Sequence, residues 1–297
     1  MDSTLASQLI EAQFPELSPV RVVRLGEGCD STAFEVNRHW VFRFPKRRDV
    51  EEQSRIERRL LPILADRLPI PIPIFRFAGR SSPRFDREFN GYPRIAGVPA
   101  MQLLPGSIRC EALAGPIGAF LSALHAFPVD QARSVGVPEQ RIAEIIEEVR
   151  EDALAGFDAV AQAAPRAPLE RWRRFLESDC GAGGVTGGVA LVHNDFAAEH
   201  ILMTEDGQAI TGVIDWTDVA ISEPEADFAG LFHWGGEPLA RAVLEAYRGG
   251  LDEAAMVRAR YMAACRGAMD VAFGVETRRP EYVCSGLQAL GWCTAPR

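Results

Sequence analysis

The feature that most constrains this chain is a pair of short apolar runs that each end on an aspartate. Residues 189–193 lead into Asp195, residues 210–214 lead into Asp215, and His200 follows Asp195 by five residues. Runs of this length, rich in Val and Ile and bounded by polar residues, read as strands. An isolated His-x-Asp is ordinarily a solvated turn. Here His193-Asn-Asp195 is followed by a further potential metal ligand and a second carboxylate at a strand end. Phosphoryl transfer needs such a set: one carboxylate beside the acceptor hydroxyl, and another that helps hold magnesium against phosphates. Asp195 is the candidate for the first role, and Asp215 with His200 for the second.

The rest of the chain falls into two regimes. Leu5, Leu9, Ile10 and Phe14 recur at helical spacing, so a short helix is expected at the start. Residues 20–25, 32–37 and 40–44 read as three strands, and Asp49 is placed to cap a helix running to residue 61. Pro69, Pro71 and Pro73 cannot lie inside a helix or central strand, so they form an extended connector into residues 74–78. A further strand is expected before Asn90. From about residue 107 the pattern turns helical, over residues 111–126, 139–161 and 169–177. It is interrupted by strands at 189–193, 201–203 and 210–214, and helices resume at Glu225. A strand-rich first third and a helical remainder indicate two lobes. Residues 179–188, rich in Ala and Gly, read as a connector.

Composition removes several classes of function. The 297 residues carry a net charge of −9, which argues against a nucleic-acid partner. No apolar run reaches the roughly 18 residues of a membrane span, and no basic-then-apolar leader opens the chain, so a cytoplasmic location is the expectation. The six cysteines lack C-x-x-C spacing and are expected to be reduced thiols.

Gly26-Glu-Gly28 joins two expected strands. Glycines there let backbone amides approach an anion, although a plain hairpin turn has the same composition. On the third strand side chains alternate, so Val41, Arg43 and Pro45 share one face, and Phe42, Phe44 and Lys46 the other.

Residues 26–37 (GEGCDSTAFEVN), 41–46 (VFRFPK), 68–73 (LPIPIP) and 91–99 (GYPRIAGVP) resemble, in order, the aminoglycoside phosphotransferase family. His193-Asn-Asp-Phe196 and residues 220–228 (AISEPEADF) continue the likeness to its 2″ branch. Macrolide phosphotransferases are similar through the later motifs and also carry His where Asn is usual. The resemblance implies an α+β, two-lobed protein-kinase-like fold. It also implies an N-terminal nucleotide-binding lobe over residues 1–94 and a mainly helical catalytic and substrate-binding lobe over 95–297. It implies ATP or GTP as donor, Mg2+ as cofactor, a small-molecule acceptor and a monomer.

Site roles follow from the same resemblance. Arg43 stands where the family has its phosphate-binding Lys, and is favoured over Lys46, which has the wrong parity. Glu57 would pair with that cation, and a solvated charge on the same helix is the alternative. Gly26 and Gly28 would cover the phosphates, and Tyr92, Arg94 and Ile95 lie where relatives bind the purine edge. The interval between Asp215 and Glu223 leaves no room for a peptide-binding activation segment, so the acceptor is small. An aminoglycoside-type antibiotic is the leading acceptor. The segment after Phe228 is largely apolar where the 2″ branch would carry acids, which brings in a macrolide or other hydroxylated metabolite. A nucleotide-binding regulatory module is the remaining alternative. Asp218, Trp234, Glu237 and Asp270 are candidate acceptor contacts, with Asp218 equally readable as a turn residue and aromatics at the spacing of Trp234 and Phe232 more often helix core. Asp227 is expected to brace the loop of Asp195.

Overall fold

The computed structural model describes residues 1–28, 30–103, 110–181 and 187–295. Cys29 and residues 182–186 of the expected 179–188 connector lie outside them. After helix α1 (Ser3–Gln13) come β1 (Val22–Glu27), β2 (Ser31–Val36), β3 (Trp40–Pro45), helix α2 (Arg48–Ala65), β4 (Phe77–Gly79) and β5 (Phe89–Pro93). These strands form an antiparallel sheet in the order β1-β2-β3-β5-β4. Alternation decides its two faces. Phe34, Phe42, Phe44 and Phe89 bury against Ala6, Leu9 and Ile10 of α1. Arg43 lies opposite Ala33 on one neighbour and Asn90 on the other.

The remainder is β6 (Val98–Pro99), α3 (Cys110–His125), α4 (Val129–Ser134), α5 (Ile142–Ala155), α6 (Phe157–Ala163) and α7 (Leu169–Leu176). Then come β7 (Ala190–Val192), β8 (Ile201–Met203), β9 (Ile210–Val213), β10 (Ala220–Ser222), α8 (Glu225–Ala246), α9 (Glu253–Thr277) and α10 (Pro280–Cys293). α9 is the central helix, and its buried face is built of small residues such as Ala259, Ala263 and Gly267. Small side chains let α10 approach closely: a Cβ on Gly286 would lie 2.3 Å from the Gly267 carbonyl oxygen.

Three expectations are corrected. Asp49 lies inside the first turn of α2, whose N-cap position is Arg47. The strand expected before Asn90 contains that residue. The single helix expected over 139–161 is two, parted at Gly156, and it starts late because Glu139 bridges to Ile221 of β10. Gln140 N–H donates to the Ile221 carbonyl and Ile221 N–H to that of Pro138. A strand-like segment is thus held by a partner eighty residues away, which local periodicity cannot show. Among the described residues, no helix is long and apolar enough to cross a membrane. Among the described side chains, Cys265, Cys284 and Cys293 are free thiols.

Candidate active site

The loop after β7 is fixed from below by α8. Asp227, fully buried in the first turn of that helix, accepts the N–H of His193 (3.0 Å) and of Asn194 (2.8 Å) on its two oxygens. The carboxylate also meets the positive end of the helix dipole. Helix and loop are in direct backbone contact, since a Cβ at Gly230 would lie 1.8 Å from the Phe196 carbonyl oxygen. His193 closes the arrangement with Nε2 3.1 Å from the Ile214 carbonyl, linking the loop of Asp195 to that of Asp215. Asn194 and Asp215 both adopt left-handed backbone, at φ 65° and 61°. Such conformations cost energy outside glycine and persist where surrounding contacts enforce them.

The loops deliver three groups to one point. His200 Nδ1 lies 3.1 Å from Asp195 Oδ2, and its Nε2 lies 3.8 Å from Asp215 Oδ2. Burial alone would strip the imidazole of its proton, but the charge of Asp195, its hydrogen bond and the charge of Asp215 outweigh that and push His200 up to about 10. The other oxygen of Asp195 accepts from Arg266 of α9. Burial would raise the Asp195 carboxyl, but Arg266 and His200 hold it well below the usual carboxylate range.

From the sheet above, Arg43 donates through Nη1 to Glu57 Oε2 (3.0 Å) and through Nη2 to Asp215 Oδ1 (2.8 Å) and Thr217 Oγ1 (2.5 Å). The shared parity of Val41 and Arg43 aims this guanidinium at the cleft, while Phe42 and Phe44 face α1. Glu57 is almost wholly buried, and burial, opposed by Arg43, pushes its carboxyl up to about 7. Lys46 lies apart, with Nζ donating to the Gly28 carbonyl (2.8 Å).

Arg43, Asp195, His200, Asp215 and Arg266 line a cleft of about 670 Å³ that also contains Gly26, Gly28, Asp218 and Asp270. A Cβ at Gly26 would meet nothing within 4 Å, so packing within the protein does not require glycine there. Other sequence candidates lie elsewhere. Tyr92 is buried against Phe75, Arg94 pairs with Glu35 (3.1 Å), and Ile95 covers Gly212. Trp234 packs on the main core, Phe232 is buried in it, and Glu237 pairs with Arg241 (3.2 Å). Sequence reasoning passed over Thr217, Glu199, His233 and Arg266. One signal for Arg266 was present: a lone arginine in the small-residue stretch Ala263-Ala-Cys-Arg-Gly-Ala268.

A strand-rich lobe and a helical lobe enclosing this cleft define a phosphotransferase with the two-lobed kinase-like fold. The profile of the phosphotransferase enzyme family matches residues 21–260, and the chain belongs to that family. It is thus an enzyme that transfers a phosphoryl group to a hydroxyl. Among solved structures it is similar to the GDP and kanamycin complex of APH(2")-IIIa, at 28% identity, 97% coverage of each chain and TM-score 0.74. It also resembles macrolide 2'-phosphotransferase MphH from Brachybacterium faecium in fold, at 22% identity, 100% and 99% coverage, and TM-score 0.59. An uncharacterized protein, YcbJ of Bacillus subtilis (strain 168), is 26% identical over 270 residues, covering 85% of this chain and 82% of that protein.

Proposed function

We propose that the protein transfers the terminal phosphoryl group of ATP or GTP to a hydroxyl of a small molecule, with Asp195 acting on the acceptor and Asp215 and His200 as the metal ligands. The observation that carries this reading is the meeting of Arg43, His200, Asp195 and Asp215 in one cleft, from three separate chain segments. The donor set fits magnesium. Asp215 Oδ2 is turned away from Arg43 and toward His200 Nε2, 3.8 Å off. Magnesium is commonly held by one or two protein ligands, with phosphate oxygens and water completing its shell. When bound, it would neutralise charge on the transferring phosphate. His200 would have to release its Nε2 proton to act as a ligand.

The chain's own residues supply the remaining chemistry. Arg43 offers a forked cation to phosphate oxygens, with Glu57 fixing the fork. Gly26, which no packing contact requires, leaves room for an anion beside the backbone, while the Gly28 N–H donates to the Ser31 carbonyl and closes the turn. Asp195 orients the acceptor hydroxyl. As the acceptor oxygen bonds to phosphorus, the bond from phosphorus to the bridging oxygen breaks and the hydroxyl proton passes to the Asp195 carboxylate.

An aminoglycoside-type antibiotic is the first acceptor to test, by similarity to the kanamycin complex above. A macrolide or another hydroxylated compound is favoured by a different observation. Ala229, Gly230, Leu231 and Phe232 offer no acid, and Arg266 and Arg279 stand in the cleft wall. The test is nucleotide consumption with ATP or GTP and magnesium across these acceptors, with the product identified by mass. Phosphorylated acceptor supports the reading. Its absence with every acceptor would refute it.

A further inference from the structure

Helix α2 carries Glu57, the partner of Arg43, and meets the sheet on the face opposite to α1. The residues that tie it to the sheet are polar and buried. Glu51, Ser54 and Glu57 follow one another at three-residue spacing and are 3%, 8% and 1% exposed. Residues spaced in this way lie on one side of a helix. Each reaches a different point of the sheet. Glu51 Oε1 accepts the N–H of Glu88 at 2.9 Å, just before β5. Ser54 Oγ accepts from Asn90 Nδ2 of β5 at 2.6 Å. Glu57 Oε2 accepts from Arg43 Nη1 of β3 at 3.0 Å. Asn90 and Arg43 are cross-strand partners, so the second and third contacts stand side by side.

The middle contact carries a cost. Asn90 is 1% exposed, and its Oδ1 has no hydrogen-bond partner. A buried polar atom left unmet lowers stability, and an apolar pair of similar shape would avoid that penalty. Packing already holds the other half of α2, where Leu60, Leu61 and Leu64 enter the main core. What a directed hydrogen bond adds is register. No side chain caps the helix at Arg47, so its first turns take their position from contacts with the sheet. A shift of one residue along the axis moves a side chain by about 1.5 Å, enough to take Glu57 out of hydrogen-bond reach of Arg43. Arg43 would then be left to Asp215 and Thr217, which its other terminal nitrogen already serves.

We propose that Ser54 and Asn90 are positioning residues for the nucleotide: their hydrogen bond fixes α2 along its axis and so holds Glu57 and Arg43 in phosphate-binding geometry. This rests on the kinase reading of the cleft. Neither Ser54 nor Asn90 lines that cleft, so both act through Glu57 and Arg43.

The test exchanges the pair for an apolar one, Ser54→Ala with Asn90→Leu. Melting, calorimetric binding of ATP and GTP with magnesium, and kinetics with each substrate varied are then compared with wild type. The double variant is expected to melt at or above the wild-type temperature, since both polar partners leave together. Its Kd and KM for nucleotide should nevertheless rise about tenfold, the effect of one weakened contact to the phosphates, while the KM for acceptor holds. Ser54→Thr keeps the hydroxyl and should stay near wild type. Ser54→Ala alone should shift the nucleotide constants in the same direction, and it serves if the double variant does not fold. An unchanged nucleotide Kd in either variant would overturn the positioning role and leave the kinase reading standing. A fall in Tm with the KM of both substrates raised alike would also overturn it, because a purely structural pair behaves that way. A wild type that binds neither ATP nor GTP would overturn both.

Discussion

Replacing Arg43 tests the position that joins Glu57, Asp215 and Thr217 across the cleft. The side chain is 11% exposed, and its two terminal nitrogens serve Glu57, Asp215 and Thr217. Arg43→Ala strands a glutamate that is 1% exposed, and removing one partner of a buried pair costs about 3–5 kcal/mol. That corresponds to a fall in Tm on the order of 10 °C. The loss should depend on pH. Glu57 titrates near 7 in the folded protein because of burial, against the pull of Arg43, so the folded state holds this proton more tightly than the unfolded chain. The group therefore subtracts stability as pH rises from the ordinary glutamate range to about 7. Without Arg43 the folded value moves higher still, so the deficit of the variant relative to wild type should widen as pH rises above about 7. Thermal melts at several pH values measure it. Kinetics at varied nucleotide give the functional half: Arg43→Ala should damage nucleotide use far more than Lys46→Ala. Arg43→Lys should keep partial function, because one ammonium cannot reproduce the fork. A stable Arg43→Ala, or a Lys46→Ala that proves the more damaging change, would refute the assignment of the phosphate ligand to Arg43.

Further outcomes follow from the same geometry. Asp195→Asn should keep nucleotide affinity and lose about 10²- to 10⁴-fold in turnover, and an unchanged rate would remove Asp195 from the acceptor's chemistry. Asp215→Ala should abolish magnesium-dependent nucleotide binding, read by titration with and without the ion, since His200 alone cannot hold a divalent ion bridging phosphates. Persistent magnesium-dependent activity in that variant would contradict the metal assignment. Gly230→Ala sets a methyl against the Phe196 carbonyl and should destabilise by about 1–3 kcal/mol or more, with kcat falling as the Asp195 loop shifts. Wild-type melting and kcat there would mean that the loop does not depend on α8 for its position.

The parts of this molecule legible in its sequence are those fixed by local chemistry. Alternation along β3 separates Phe42 and Phe44 from Arg43, and that is enough to aim one cation at a cleft. The aspartates at 195 and 215 are legible because each follows a short apolar strand. Arg266 was not legible in the same way. Periodicity marks α9 as buried over much of its length, but it does not say that one turn of it lies against the Asp195 carboxylate. The α5 boundary failed for a related reason, because residues 138–140 take their conformation from β10.

Helix α8 shows how a single backbone feature separates side chains that spacing would group together. His233 and Glu237 are four apart, which on a regular helix places them on one face. A site that takes His233 should then also take Glu237. Gly236, however, sits at φ 64° and ψ −165°, far from helical values, and Pro238 follows two residues later. The helix therefore breaks between the two side chains and its phase restarts. His233 remains on the cleft side with Asp270, while Glu237 turns to Arg241 and Trp234 packs into the core. The Gly-Gly-Glu-Pro run at 235–238 carried that break in the sequence. Treating α8 as two helices joined at Gly236 separates His233 from Glu237, and leaves that wall of the cleft to His233, Asp270 and the residues of α9 and α10.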